Sequence, residues 1–238
     1  MGEQLKAAAI LGAGLGSRLQ SRSKSKPLSP LLGETLLSRL LKDIKKYPFV
    51  DISCALRAEL TSAEERSQLP NRDSVRYLFV DTESSLHTLG EVHKAATSNP
   101  AHLFVTMADT ILLPGDLHRF LRICETLGAA ESAVLVTPFI DDEKPLYAHV
   151  NTAGEVSMFG PEAPQMGEKL VTSGMYCLSR QALEQLPFAL SGGMHKMRNY
   201  LSFLLEQRER IKTFVVQKSI DVDHPSDLDQ AAAFLKDL

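Results

Sequence analysis

The feature that most restricts how this chain of 238 residues can fold is its opening. An apolar run, Leu5–Leu11, breaks into Gly12-Ala-Gly-Leu-Gly-Ser-Arg18 and then into a basic stretch ending at Lys26-Pro27-Leu28. A short apolar run cut off by glycines reads as a buried strand entering a tight loop. Glycines let the backbone approach a ligand closely and aim N–H groups at phosphate oxygens. No acid occurs from Gly12 to Gly33, whereas Arg18 and Lys26 supply fixed positive charge. The stretch therefore reads as a site for a nucleoside triphosphate at the end of a first strand.

The rest of the chain extends that start. Strand-like runs Ala7–Leu11, Val50–Leu56, Val75–Val80, Leu103–Met107, Ala133–Thr137, Met175–Leu178 and Thr213–Gln217 alternate with helical periods. Thr35–Lys46 carries Leu36, Leu37, Leu40, Leu41 and Ile44 at helical spacing. Ser85–Thr97 and Pro114–Leu127 read as helices, the second with Pro in its first turn and Gly128 as its stop. Thr61 and Glu64 have the spacing of a capping box. Tyr147–Val150 and Glu155–Phe159 flank Asn151-Thr-Ala-Gly154 as a β-hairpin. A long amphipathic helix is expected around His195–Arg208, and a last helix opens at Pro225. The alternation predicts an α/β fold with a mostly parallel, mixed sheet and helices on both faces. One domain over 1–238 is expected: a nucleotide-binding part at about 1–130, an acceptor-binding part at about 131–219, and a closing strand and helix at 220–238. Nothing is left over for a second domain, so the chain is expected to act alone or as a homo-oligomer.

Bulk composition narrows the function classes. A net charge of −3 gives no reason to expect nucleic acid or an anionic membrane as partner. Charge is uneven, however: the tail from Asp221 holds Asp221, Asp223, Asp227, Asp229 and Asp237 against a single Lys. Cys54, Cys124 and Cys177 lie far apart, which favours free thiols in a reducing compartment. Leu5–Leu11 is too short and too interrupted for a signal peptide, and no apolar run approaches the roughly 20 residues that span a bilayer. Met1-Gly2 begins like a myristoylation signal, but Lys6 stands where Ser or Thr is required. A cytoplasmic protein is expected.

Two common glycine-loop readings fail on spacing. A dinucleotide fingerprint wants GxGxxG, and position 17 is Ser; Glu34, at the distance of the ribose-binding acid, falls in a turn. A Walker loop wants GxxxxGK[ST], which is absent. Instead, Ile10-Leu-Gly-Ala-Gly-Leu-Gly-Ser-Arg18 followed by Lys26-Pro-Leu-Ser-Pro-Leu-Leu-Gly33-Glu-Thr-Leu-Leu37 resembles the signature of the nucleotidyltransferase superfamily. That group includes sugar-1-phosphate nucleotidylyltransferases and phosphocholine-type cytidylyltransferases. The chain departs from the usual pattern at Ala13, Ser17 and Ser25, where Gly, Thr and Pro are common.

The resemblance implies a single Rossmann-like (GT-A-like) domain and a set of roles. Arg18 would serve the leaving pyrophosphate and Lys26 the α-phosphate. Leu11, Gly12, Ala13, Gly14, Gly16 and Ser17 would hold the nucleotide. Asp109, closing Val105-Thr-Met-Ala-Asp109, would bind Mg²⁺. In Ile220-Asp-Val-Asp223-His-Pro-Ser-Asp-Leu228 the second metal ligand is Asp223 or Asp221, and matching the helix start favours Asp223. Ser84 and Ser85 would contact base and ribose, although either also suits a helix N-cap. Glu168, Lys169 and Gly174 would bind the acceptor, at a spacing shorter than in the hexose enzymes. A glycine inside a strand, as at Gly174, marks close approach of another group. The histidines show no metal-ligand spacing, His87 and His93 being six apart rather than four.

The reaction implied is transfer of NMP from an NTP to a phosphorylated acceptor, a sugar-1-phosphate by the motif, with release of pyrophosphate. Phosphocholine is the alternative acceptor. A GT-A glycosyltransferase, using Asp221-Val-Asp223 as a DxD motif, and a non-catalytic nucleotide-binding homologue are the rivals from other classes.

Overall fold

The computed structural model describes residues 5–19 and 23–236. Met1-Gly2 and Asp237 lie outside the described residues. Strand β1 (Ala7–Gly12) is followed by single 3-10 turns at Ser17–Leu19 and Lys26–Leu28 and by the small hairpin β2 (Pro30–Leu31) and β3 (Glu34–Thr35). Next come α1 (Leu36–Ile44), β4 (Asp51–Leu56), α2 (Ala63–Ser67), β5 (Arg76–Phe79), α3 (Ser85–Ala95), β6 (His102–Met107), β7 (Thr110–Ile111) and α4 (Pro114–Cys124). The second half holds β8 (Glu131–Thr137), β9 (Tyr147–Val150), β10 (Val156–Gly160), β11 (Leu170–Ser179), α5 (Arg180–Ser191), α6 (Met197–Glu206), β12 (Arg210–Val215), β13 (Ile220–Asp221) and α7 (Pro225–Lys236).

The main sheet runs β12-β8-β11-β6-β1-β4-β5, with β9 and β10 added beside the first half of β11. The β6-β1-β4-β5 half is parallel, and β12 pairs parallel with β8. The long strand β11 is antiparallel to β6, β8 and β9, so the sheet is mixed. Alternation along β1 divides the core. Ala7, Ala9 and Leu11 face α3, α5 and α6, whereas Ala8 and Ile10 face α1 and α4. Helix α1 buries all five apolar residues of its predicted stripe, and Thr35 caps it by accepting from the Ser38 N–H at 3.1 Å. No helix among the described residues is long and apolar enough to cross a membrane.

The structure moves several expected boundaries. The capping box sits one residue later, on Ser62 and Glu65, because the Thr61 hydroxyl donates to the Arg57 carbonyl at 2.8 Å instead. Helix α4 stops at Cys124, and Thr126 and Leu127 continue as hydrogen-bonded turns. The strand expected over Thr213–Gln217 begins at Arg210, and the helix expected from His195 begins at Met197. Helix α5 is an addition: Pro187 lies inside it, yet Ser179 caps its start and Ala182, Leu183, Leu186 and Ala189 bury its inner face. Packing of that face outweighs the hydrogen bond that proline removes.

Candidate active site

Strand β1 connects through α1 to β4 on one side, and β6 lies on its other side, reached from α3 on the opposite face. The two connections diverge at the carboxyl ends of β1 and β6 and leave a crevice there, where open α/β sheets hold ligands. The crevice is a cleft of about 350 Å³ whose walls include Leu11, Gly12, Ala13, Gly14, Ser85 and Asp109. The Ala108 N–H donates to the Leu11 carbonyl at 3.1 Å and ties the end of β6 to the glycine loop. Gly16 has φ +53°, and a Cβ there would stand 2.7 Å from Lys26 Cβ. The loop therefore lies directly on the stem of Lys26, and only glycine fits the conformation and the gap together.

Lys26 is the centre of the charge cluster. Its Nζ contacts Asp109 Oδ2 and donates to Asp223 Oδ1 at 2.5 Å. The Lys26 and Asp109 side chains are 11% and 18% exposed, against 44% for Asp223, so the pair is deep and Asp223 closes it from the rim. Burial opposes the charge on Lys26, but Asp109, Asp221 and Asp223 outweigh that cost and hold the ammonium protonated well above its ordinary range. Asp221 is exposed on the wall of a second cavity, beside Asp109 and Asp223, which oppose its ionisation, and Lys26, which favours it. Arg18 reaches Asp223 at 3.5 Å and Glu143 at 3.8 Å from the opening of the cleft.

Backbone pairing explains how acids so far apart in the chain meet. Strand β13 pairs antiparallel with β7, matching Ile220 to Ile111 and Asp221 to Thr110, and the Val222 N–H donates to the Asp109 carbonyl at 3.2 Å. Ile220 and Val222 are 1% and 0% exposed in a small third core with Leu19, Leu31, Ile111 and Leu228. Alternate residues of extended chain face opposite ways, so burying Ile220 and Val222 turns Asp221 toward the second cavity and Asp223 toward the border of the two. Asp227 secures the turn before α7, accepting from the Asp223 and His224 N–H groups at 2.8 and 2.7 Å.

The second cavity, of about 90 Å³, shares Arg18 and Asp223 with the first. Its walls carry hydroxyls and acids, among them Thr137, Asp141, Ser173, Asp221 and Asp227. Gly174 also lines it, at φ +68° and at the register shift of β11 between Thr172 and Tyr176. A Cβ on Gly174 would lie 2.8 Å from Thr110 Oγ1, so the close approach that the strand glycine signals is that of β7.

The residues singled out by sequence thus divide. Leu11, Gly12, Ala13, Gly14, Gly16, Arg18, Lys26, Ser85, Asp109 and Asp223 surround the first cleft; Gly174 and Asp221 line the second. Ser17 opens the turn Ser17–Leu19, between Gly16 and Arg18 of the first cleft. Ser84 is the N-cap of α3, accepting from the His87 N–H, while Ser85 faces the cleft. Glu168 and Lys169 are exposed and are not brought to either cavity; Glu168 lines a separate hollow with His149 and Met166. Arg57 was not singled out. From the end of β4 it donates to the Ala13 carbonyl at 3.3 Å and the Thr82 carbonyl at 3.0 Å, joining the glycine loop to the loop before α3. A charged residue directly after a buried strand was its signal.

Asp109 Oδ1 is buried and accepts no hydrogen bond among the described residues. Such an orphaned carboxylate oxygen, beside two further carboxylates, is a hard donor set of the kind Mg²⁺ takes. The residues present fit that ion.

The sequence profile of the MobA-like NTP transferase domain matches residues 8–189. The bifunctional IPC transferase and DIPP synthase of Rubrobacter xylanophilus is 30% identical over 234 residues, which are 93% of this chain and 50% of that protein. The chain thus spans about half the length of that relative. The inositol-1-phosphate CTP transferase of T. maritima superposes with a TM-score of 0.76 at 13% identity, covering 99% of this chain and 98% of that one. The CTP:phosphocholine cytidylyltransferase of Streptococcus pneumoniae superposes with a TM-score of 0.73 at 16% identity, covering 98% and 100%. At these identities the two structures attest the fold.

Proposed function

Because the chain belongs to the MobA-like NTP transferase domain family and is a nucleotidyltransferase, we propose that it transfers CMP from CTP to inositol-1-phosphate and releases pyrophosphate. The observation that carries the reaction type is the meeting of Lys26 with Asp109 and Asp223 where two cavities join. The choice of pair follows the relative that is 30% identical and the structure named for inositol-1-phosphate and CTP. The second cavity supports a polyol acceptor, since the Ser173 hydroxyl and the carboxylate of Asp141 suit hydrogen bonding to ring hydroxyls. A sugar-1-phosphate meets the same requirement.

An oxygen of the acceptor phosphate attacks the α-phosphorus of the triphosphate in line. A new P–O bond forms, the bond to the bridging oxygen of the β-phosphate breaks, and pyrophosphate leaves with that electron pair. A phosphate monoester is largely dianionic at neutral pH, so the attacking oxygen needs no general base. Positioning and charge neutralisation then carry the catalysis. Lys26 holds the α-phosphate and Arg18 the departing pyrophosphate. The glycine loop, with Ser85, holds the nucleoside by its backbone and rim. Asp109 with Asp223, and Asp221 at the acceptor side, would hold Mg²⁺, which when bound offsets charge on phosphate oxygens. The nucleotide part is assigned to about 1–130, the acceptor part to about 131–219 and the closing acids to 220–238.

The test is pyrophosphate release over four NTPs crossed with inositol-1-phosphate, hexose-1-phosphates and phosphocholine, with Mg²⁺. CTP with inositol-1-phosphate is expected to give the highest kcat/KM. A higher value for another pair replaces the substrates, and silence across the whole panel removes the reaction.

A further inference from the structure

We propose that Glu83, His87 and His195 form a binding site for a transition-metal ion, Zn²⁺ in the first instance, on the rim of the nucleotide cleft. One donor atom from each of the three residues lies within 4.8 Å of the others. Glu83 Oε2 stands 3.2 Å from His195 Nδ1, and the two imidazole rings are 5.1 Å apart between centroids. His87 and His195 are 108 positions apart in the chain, which is why no ligand spacing shows in the sequence. The fold brings them together by setting the first turn of α3 beside the chain that enters α6.

The donor set decides the class of ion. Two imidazoles and one carboxylate favour Zn²⁺ and its neighbours over Mg²⁺, which prefers oxygen alone. Three protein donors leave a fourth position open to water or a ligand. A tetrahedral ion with bonds of about 2.0–2.1 Å sets its donors roughly 3.4 Å apart. Glu83 and His195 are already near that separation, and both are exposed enough to close by side-chain rotation. His87 is further prepared, because Ser84 Oγ pairs with its Nδ1 at 2.9 Å and fixes the ring, the kind of outer partner that metal-binding histidines carry.

The place of the site gives it a consequence. Glu83 and His87 flank Ser84 and Ser85, and Ser85 and Thr88 line the nucleotide cleft. An ion held by all three residues would pin that wall to the segment before α6.

The test is a Co²⁺ and Zn²⁺ titration of the full chain, free of any polyhistidine tag, under saturating Mg²⁺ so that the carboxylates around Lys26 are occupied. Co²⁺ reports coordination through its visible d–d bands. One equivalent is expected to bind to the wild-type chain and equally to Asp109→Asn. His87→Ala and His195→Ala should each lose affinity by at least the roughly 10–100-fold that removing an outer partner costs. His195→Cys, which keeps a zinc donor, should retain the site and add a thiolate-to-cobalt charge-transfer band. Thermal melts without metal check that every variant is folded. No band in the wild-type chain, undiminished affinity in either alanine variant, or loss in Asp109→Asn would overturn the assignment.

Discussion

The two sides of the cleft are built differently. On the side proposed for the nucleotide, one continuous stretch from Leu11 to Lys26 supplies loop, guanidinium and ammonium, and the parallel strands β1 and β6 hold it. On the side proposed for the acceptor, residues near 137–143, 171–174 and 219–227 converge from separate parts of the chain. They are held by the two-residue pairing of β7 with β13 and by a small core around Ile220 and Val222. The first side is set by local backbone chemistry, the second by tertiary packing. Asp223 and Arg18 border both.

Perturbing the charge cluster that holds Asp223 at the border of the two sides should have the largest effect. Lys26→Ala and Asp109→Ala are each expected to lower kcat for pyrophosphate release by roughly 10²–10³-fold or more, as loss of a single charge-stabilising group does elsewhere. Circular dichroism should stay unchanged, and near-wild-type turnover in either variant would end the assignment of those residues. Ile220→Ala attacks the small core under the acceptor side. It should cost about 2–5 kcal/mol of stability in chemical denaturation, as deletion of a buried Ile does. KM for the acceptor should rise more than KM for the nucleotide; an equal rise would contradict the division between the sides. Gly174→Val tests the same region through the backbone. The φ of +68° and the contact with Thr110 predict a loss of about 1–3 kcal/mol, read in the melting temperature. Arg57→Ala probes the nucleotide side most gently. Releasing the Ala13 and Thr82 carbonyls is expected to raise KM for the triphosphate about tenfold, the equivalent of one hydrogen bond to a charged group, with kcat little changed.

The same contrast explains what could be read from the sequence. The nucleotide side was legible because glycine spacing, the absence of acids and the leucine stripe of α1 are all local signals. The parallel α/β architecture followed from alternation of short apolar runs with helical periods, and the antiparallel insertion of β11 did not, because pairing direction has no local signature. Helix α5 escaped because Pro187 and the following glycines mimic a loop, whereas tertiary burial decides. The two acids at 221 and 223 looked like rivals for one place. Alternation along the extended chain turns both away from the core once Ile220 and Val222 are buried, Asp221 to the second cavity and Asp223 to the border of the two. Glu168 and Lys169 matched a motif by residue type, but they precede β11 and are exposed, whereas Val171–Gly174 line the cavity.

The most direct measurement of the central claim is the fate of label from [α-³²P]CTP supplied with inositol-1-phosphate and Mg²⁺. Attack at the α-phosphorus, organised by Lys26 between Asp109 and Asp223, predicts that the label appears in a cytidine diphospho-linked product and that the pyrophosphate released is unlabelled. Label recovered in free CDP, with phosphate passed from the γ-position to the acceptor, would contradict it.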